Sequence, residues 1–123
     1  MNIEVSIGEI VDKLSILQIK TELIKDEEKL SNVKKEYDYL YNIVFDKMKI
    51  EQSDFFDMVV INQKLWYIED NIRDKEREKS FDIEFIELAR SVYFTNDQRA
   101  KLKKEINNSF GSKFVEEKSY IEY

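Results

Sequence analysis

The stretch IGEIVDKLSILQIKTELI, residues 7–24, decides the fold. Ile7, Ile10, Leu14, Leu17, Thr21 and Ile24 recur at alternating steps of three and four, the period of an amphipathic helix. Val11, Ile16, Ile19 and Leu23 form a second ridge, which widens the apolar face beyond a coiled-coil seam and predicts more than one packing neighbour. Ser6-Ile7-Gly8-Glu9 reads as a capping box: the Ser6 hydroxyl accepts from the amide of Glu9, and the Glu9 carboxylate reaches back. Just upstream, Ile3, Val5 and Ile7 alternate with polar residues, a period-2 pattern that predicts a short N-terminal strand.

Downstream, Leu30, Val33, Tyr37, Leu40 and Val44 continue the helical spacing, with no glycine or proline to stop it. The reading is one helix over 6–48 or at most a kinked one, with Ser31-Asn32 as the alternative cap for a new helix. Such a helix would be roughly 64 Å long at 1.5 Å per residue, more than a lone small domain covers, which implies a long hairpin or a dimer. Glu51-Gln52-Ser53-Asp54 is the clearest turn, with Ser53 or Asp54 as cap. Met58, Ile61, Leu65, Ile68 and Ile72 then mark a helix running to about Lys79. A third helix is predicted from Asp82, carrying Phe85, Leu88, Val92, Leu102 and Ile106 on one face. It either runs on or breaks where Thr95 and Gln98 resemble a second capping box, and it stops at Gly111. The aromatic tail, Phe114 to Tyr123, is expected to pack against the body. The expected fold is mainly α, one helical domain over 1–123: a long hairpin plus a third helix, bundle-like, behind a short strand.

Composition narrows the function. The 123 residues include no histidine, cysteine or proline and only two glycines, Gly8 and Gly111. That removes the usual general base, the thiol nucleophile, the soft metal ligands and every glycine-rich phosphate loop. The formal charge is −6, which opposes general nucleic-acid binding; Lys101 to Lys104 reads as a solvated helix face. No apolar run approaches a membrane span and no signal-peptide pattern opens the chain, so a cytoplasmic protein without membrane or nucleic-acid partners is expected. The ExxE at Glu84–Glu87 and the ExxD at Glu51–Asp54 stand in the reverse order to that of helical magnesium pyrophosphohydrolases, and the ExxD lies in a turn. A comparison with helical chorismate mutases fails because the first 72 residues hold no arginine. No cofactor, metal ligand or catalytic residue is assigned.

Polar residues do interrupt the seams. Thr95 and Arg99 occupy core positions of the third helix, and a buried arginine requires a carboxylate or an anionic ligand. Glu69, Asp70 and Arg73 flank the middle helix as possible partners, and the bland account is a structural ion-pair network. The ligand-binding alternative uses Arg73 and Arg99 as clamps on a small anion, Asn96 and Asp97 to orient it, and Asp70 or Glu69 as acid or base.

Three segments carry a family resemblance: IEVSIGEIVDKLSILQIK near the start, LWYIEDNIRDKE in the middle, and IELARSVYFTNDQRAKLKKEIN with VEEKSY towards the end. Together they resemble an uncharacterised bacterial family of small single-domain proteins, a domain of unknown function. The resemblance covers nearly the whole chain and implies a complete protein rather than a fragment, but it brings no activity, substrate or site residue. The functional expectation is a non-catalytic interaction or oligomerisation module, a homodimer or the holder of a protein partner. The alternative is a binding protein or enzyme for a small anion.

Overall fold

A computed structural model describes residues 1–112, 114 and 116–119. Four α-helices follow one another among them: α1 (Ile7–Leu23), α2 (Glu27–Tyr41), α3 (Gln52–Arg77) and α4 (Ile83–Ser109), with a π-helical stretch, Asn42–Lys47, continuing α2. No described residue forms a strand, which corrects the expectation for the N-terminus. Ile3 and Val5 alternate as a strand would, yet both are exposed and no second strand lies beside them. A lone strand leaves its backbone groups unpaired and has no sheet face to bury.

Helix α1 begins as its sequence dictates, with the Glu9 amide donating to Ser6 Oγ at 3.3 Å. It ends earlier than expected, because Ile24 turns extended and Asp26 opens a new helix by accepting from the Lys29 amide at 2.9 Å. The continuous helix over 6–48 is therefore two helices, and the new cap is Asp26, not Ser31-Asn32. Asp26 is a strong N-cap, and Glu27 and Glu28 in the first turn of α2 add favourable interaction with the helix dipole. Helix α3 starts after Glu51 without a side-chain cap, so neither Ser53 nor Asp54 serves as one. Helix α4 runs unbroken through Thr95 and Gln98. Thr95 is buried between helices, where leaving the helix would strand backbone donors that only α4 itself satisfies. At its end Gly111 adopts φ 67°, and the Ser112 amide donates back to the Asn107 carbonyl at 2.8 Å, the Schellman arrangement.

Helix α1 packs against α2, α3 and α4, which accounts for its two apolar ridges. The core joins Val11, Leu14 and Leu17 of α1 to Leu40 and Val44, to Phe55, Met58 and Val59 of α3, and to Ile106 of α4. The π-helical turn serves this core. Its Met48 amide donates to the Ile43 carbonyl at 2.8 Å, and the widened turn buries Val44 completely. Aromatic rings continue the packing outward, from Phe55 to Phe45 at 5.2 Å, Tyr41 at 4.7 Å and Tyr37 at 5.8 Å. Burial stops short of the α3–α4 turn: no residue of α3 after Ile68, and none of α4 before Thr95, is buried. The aromatic tail lies only partly within the described residues; Phe114 is half-exposed, while Val115 and Tyr120 to Tyr123 fall outside them.

Candidate functional site

Arg99 sits on α4 one turn beyond Thr95 and meets a carboxylate from α1. Its Nε donates to Asp12 Oδ1 at 2.8 Å and its Nη2 donates to Asp12 Oδ2, a two-pronged contact. Asp12 is 2% exposed and receives a further bond from Asn62 Nδ2 of α3 at 2.8 Å. The same amide nitrogen donates to Ser15 Oγ at 2.7 Å, and Ser15 donates to the Asp12 carbonyl at 2.6 Å. One buried cluster thus ties α1, α3 and α4 together. The bond to Asp12 raises the Arg99 pKa against the opposing effect of burial, so the guanidinium keeps its charge.

A turn further along α4, Lys103 is also buried. Its Nζ lies 2.9 Å from Glu9 Oε2 at the start of α1 and 2.9 Å from Glu116 Oε2 of the tail. Burial lowers the Lys103 pKa, but the bonds to Glu116 and Glu9 outweigh it and the net direction is upward. Lys103 in turn holds Glu116 below the usual glutamate value. The Glu9 carboxylate therefore faces α4, so the capping box is only half formed, with Ser6 as its working half.

The first turn of α1 is closed by α4 and its extension. The Gly8 amide donates to Asn107 Oδ1 at 2.6 Å and the Ile7 amide donates to Ser112 Oγ at 3.0 Å. A Cβ on Gly8 would lie 2.5 Å from the Lys103 carbonyl oxygen, so only glycine permits this approach. Asn107 Nδ2 is the one buried side-chain polar atom without a partner among the described residues.

Beside this network a groove of about 370 Å³ opens between α4 and the tail, lined by Asn96, Asp97, Arg99, Lys103, Glu116 and Lys118, with Val92, Tyr93 and Ala100 as its apolar wall. Three of the sequence-predicted residues, Asn96, Asp97 and Arg99, meet here. Glu69, Asp70 and Arg73 do not. Arg73 pairs with Glu69 at 3.6 Å on the exposed surface of α3, as i,i+4 spacing allows, and Asp70 is also exposed. Asn62 marks the level of Arg99, and eleven residues of α3 put Arg73 about 16 Å further along the axis. Lys75, near Arg73, instead holds Asp82 and Glu84 at 3.0 Å across the α3–α4 turn, so one carboxylate of the ExxE is engaged by an ammonium. No group of three acidic residues among those described could hold a metal ion.

The residues that sequence reasoning missed are Asp12, Ser15, Asn62, Lys103 and Asn107. A signal existed for each. Asp12 and Ser15 stand at i and i+3 with Ile19 at i+7, and Asn62 lies between Met58 and Leu65 at steps of four and three. Lys103 and Asn107 follow Thr95 and Arg99 at steps of four. Each position carries a polar residue at core spacing, and the partner of Arg99 was to be sought among them.

Residues 1–122 match the family of unknown function DUF6165, and the chain belongs to that family. No curated protein and no solved structure matches the chain. Among the described residues no helix is long and apolar enough to cross a membrane.

Proposed function

We propose that this member of the family is a cytoplasmic, non-catalytic association module, a single helical bundle that pairs with a second copy of itself through the outer half of α4. The observation that carries the reading is the exposed apolar stripe on that half. Ile83, Ile86, Tyr93 and Phe94 are 75%, 54%, 44% and 41% exposed, and helical spacing puts them with Glu87 and Arg90 on one face. Scattered exposed apolar residues are ordinary on a monomer; a contiguous stripe on a helical stretch that holds no buried residue is not.

The charges on that face favour a second copy over an unrelated partner. Glu87 and Arg90 are both exposed and neither has an ion-pair partner among the described residues, although Arg90 stacks over the Phe94 ring at 5.9 Å. When two α4 helices lie antiparallel about a two-fold axis between residues 88 and 89, Glu87 of each opposes Arg90 of the other. The same register sets Ile83 against Phe94 across the interface, twice. A self-complementary patch of this kind is what a two-fold dimer requires.

Sedimentation equilibrium across a wide concentration range tests the reading. A wild-type dimer is expected, with Glu87→Arg alone and Arg90→Glu alone weakening it and the double charge exchange restoring it. A monomer at every concentration, or a dimer indifferent to all three variants, would refute the α4 pairing.

A further inference from the structure

Independently of the pairing, we propose that the groove between α4 and the tail is a site for one small organic carboxylate with a short apolar body, and that the Glu116 carboxylate is its intramolecular occupant. Lys103 is the floor of the site. Its side chain is 7% exposed, and Glu116 reaches it from the tail at 2.9 Å while also lying 3.3 Å from Lys118. A buried ammonium needs a carboxylate, and here one of its two comes from an exposed segment held by charged contacts. Such contacts are individually weak in water, so an external carboxylate can replace Glu116 without unfolding anything.

Donors remain for the incoming group. Arg99 uses Nε and Nη2 on Asp12, which leaves Nη1 without a hydrogen bond among the described residues, on a side chain 26% exposed at the groove. The Asn96 side-chain amide also makes no bond among the described residues. Val92, Tyr93 and Ala100 supply the apolar part of the lining, against which an apolar body of a few carbons would rest.

Charge selects the class. Arg99, Lys103 and Lys118 face Asp12, Glu9 and Asp97, three against three, and Glu116 adds the one further negative charge that the groove tolerates. A monocarboxylate replaces Glu116 like for like. A phosphate dianion would add a second unbalanced charge to a confined site.

The test is a butyrate titration of the full chain at constant ionic strength, followed by NMR of the Asn96 side-chain amide and the Arg99 Nε–H. Butanol and inorganic phosphate serve as comparators. Wild type should bind butyrate weakly, and Glu116→Gln, which removes the internal competitor, should bind about three- to fivefold more tightly, equivalent to roughly 0.7–1 kcal/mol. Asn96→Ala, at a half-buried position that makes no side-chain bond among the described residues, should retain the fold and weaken butyrate several-fold. Equal affinity in wild type and Glu116→Gln, phosphate binding more tightly than butyrate, butanol shifting the same signals, or no saturable shift in any variant would overturn the proposal.

Discussion

Around Asp12, polar groups are buried and answered bond for bond, and the apolar side chains nearby are covered. Around Arg90, some two to three turns before Arg99 on α4, apolar side chains stand in water, and Glu87 and Arg90 have no ion-pair partner among the described residues. One 27-residue helix thus serves two purposes. Its second half is fixed by α1, through Arg99, Lys103 and Asn107, while its first half holds no buried residue before Thr95 and offers one side outward. Specificity within the chain is set at the buried end; the capacity to meet something else is left at the exposed end. Substitutions at the two ends should therefore differ in kind as well as in size.

The largest effect is expected at Asp12. Asp12→Ala removes the acceptor of both Arg99 and Asn62 and leaves a largely buried guanidinium uncompensated, a loss of about 3–5 kcal/mol in urea denaturation. Replacing the trio together, Asp12→Leu with Asn62→Leu and Arg99→Met, should recover most of that loss, because an apolar set of similar volume carries no desolvation penalty. If Asp12→Ala unfolds at the wild-type urea midpoint, the buried network does not fix the helices. Next comes Gly8→Ala. The new methyl would meet backbone at 2.5 Å, which cannot rotate away, so α1 and α4 must separate at a cost of about 1–3 kcal/mol. Alanine is the better helix former by about 1 kcal/mol, so a stabilised variant would mean that the close approach is not maintained in solution.

A smaller effect belongs to the tail. Glu116 titrates below the ordinary glutamate value when folded, so its contribution is complete above the unfolded value near 4.5 and is lost as pH falls through the lower folded value. Lys103 titrates above its ordinary value of 10.5, so its share is complete below that pH and is lost as pH rises through the folded value. Glu116 is 37% exposed, and screening by water keeps its part below about 1 kcal/mol. Thermal melts between pH 3 and 7 should show a shallower acid limb in Glu116→Gln than in wild type. Superimposable limbs would remove the tail from the stability of the folded chain.

The local features of the fold were legible in the sequence, and what was not has a physical reason. The apolar ridges of α1, the Ser6 cap and the Gly111 stop follow from local chemistry, and local chemistry is what a single sequence displays. The requirement that Arg99 find a carboxylate was also legible. Which carboxylate was not, because Asp12 lies 87 positions away and only the packing of α1 on α4 brings the two together. The helix break at Asp26 was hidden for a different reason: without glycine or proline, a capping aspartate inside a charged run looks like any solvated residue. Period-2 alternation at the N-terminus misled because a strand is a property of two segments, and its partner is not in the described chain. The exposed stripe of α4 was overlooked since only positions at core spacing were read, while Ile83, Ile86 and Phe94 lie on the opposite side of the same helix.

The smallest change in intrinsic stability should come from that stripe, and it gives the sharpest test of the comparison. Ile86 is more than half exposed, so Ile86→Lys removes little buried area and should alter the stability of a dilute monomer by no more than about 0.5 kcal/mol. Leu14→Ala on α1, where the side chain is fully buried, should cost about 2–5 kcal/mol at any concentration. Association changes the outcome for wild type only. A partner that binds the folded chain raises its melting temperature with protein concentration, so wild type should melt higher as it is concentrated while Ile86→Lys should not. If both chains melt independently of concentration, the outer half of α4 does not pair with a second copy. If Ile86→Lys destabilises even at the lowest concentration as strongly as Leu14→Ala does, the outer half is core, and the contrast between the two ends of α4 fails.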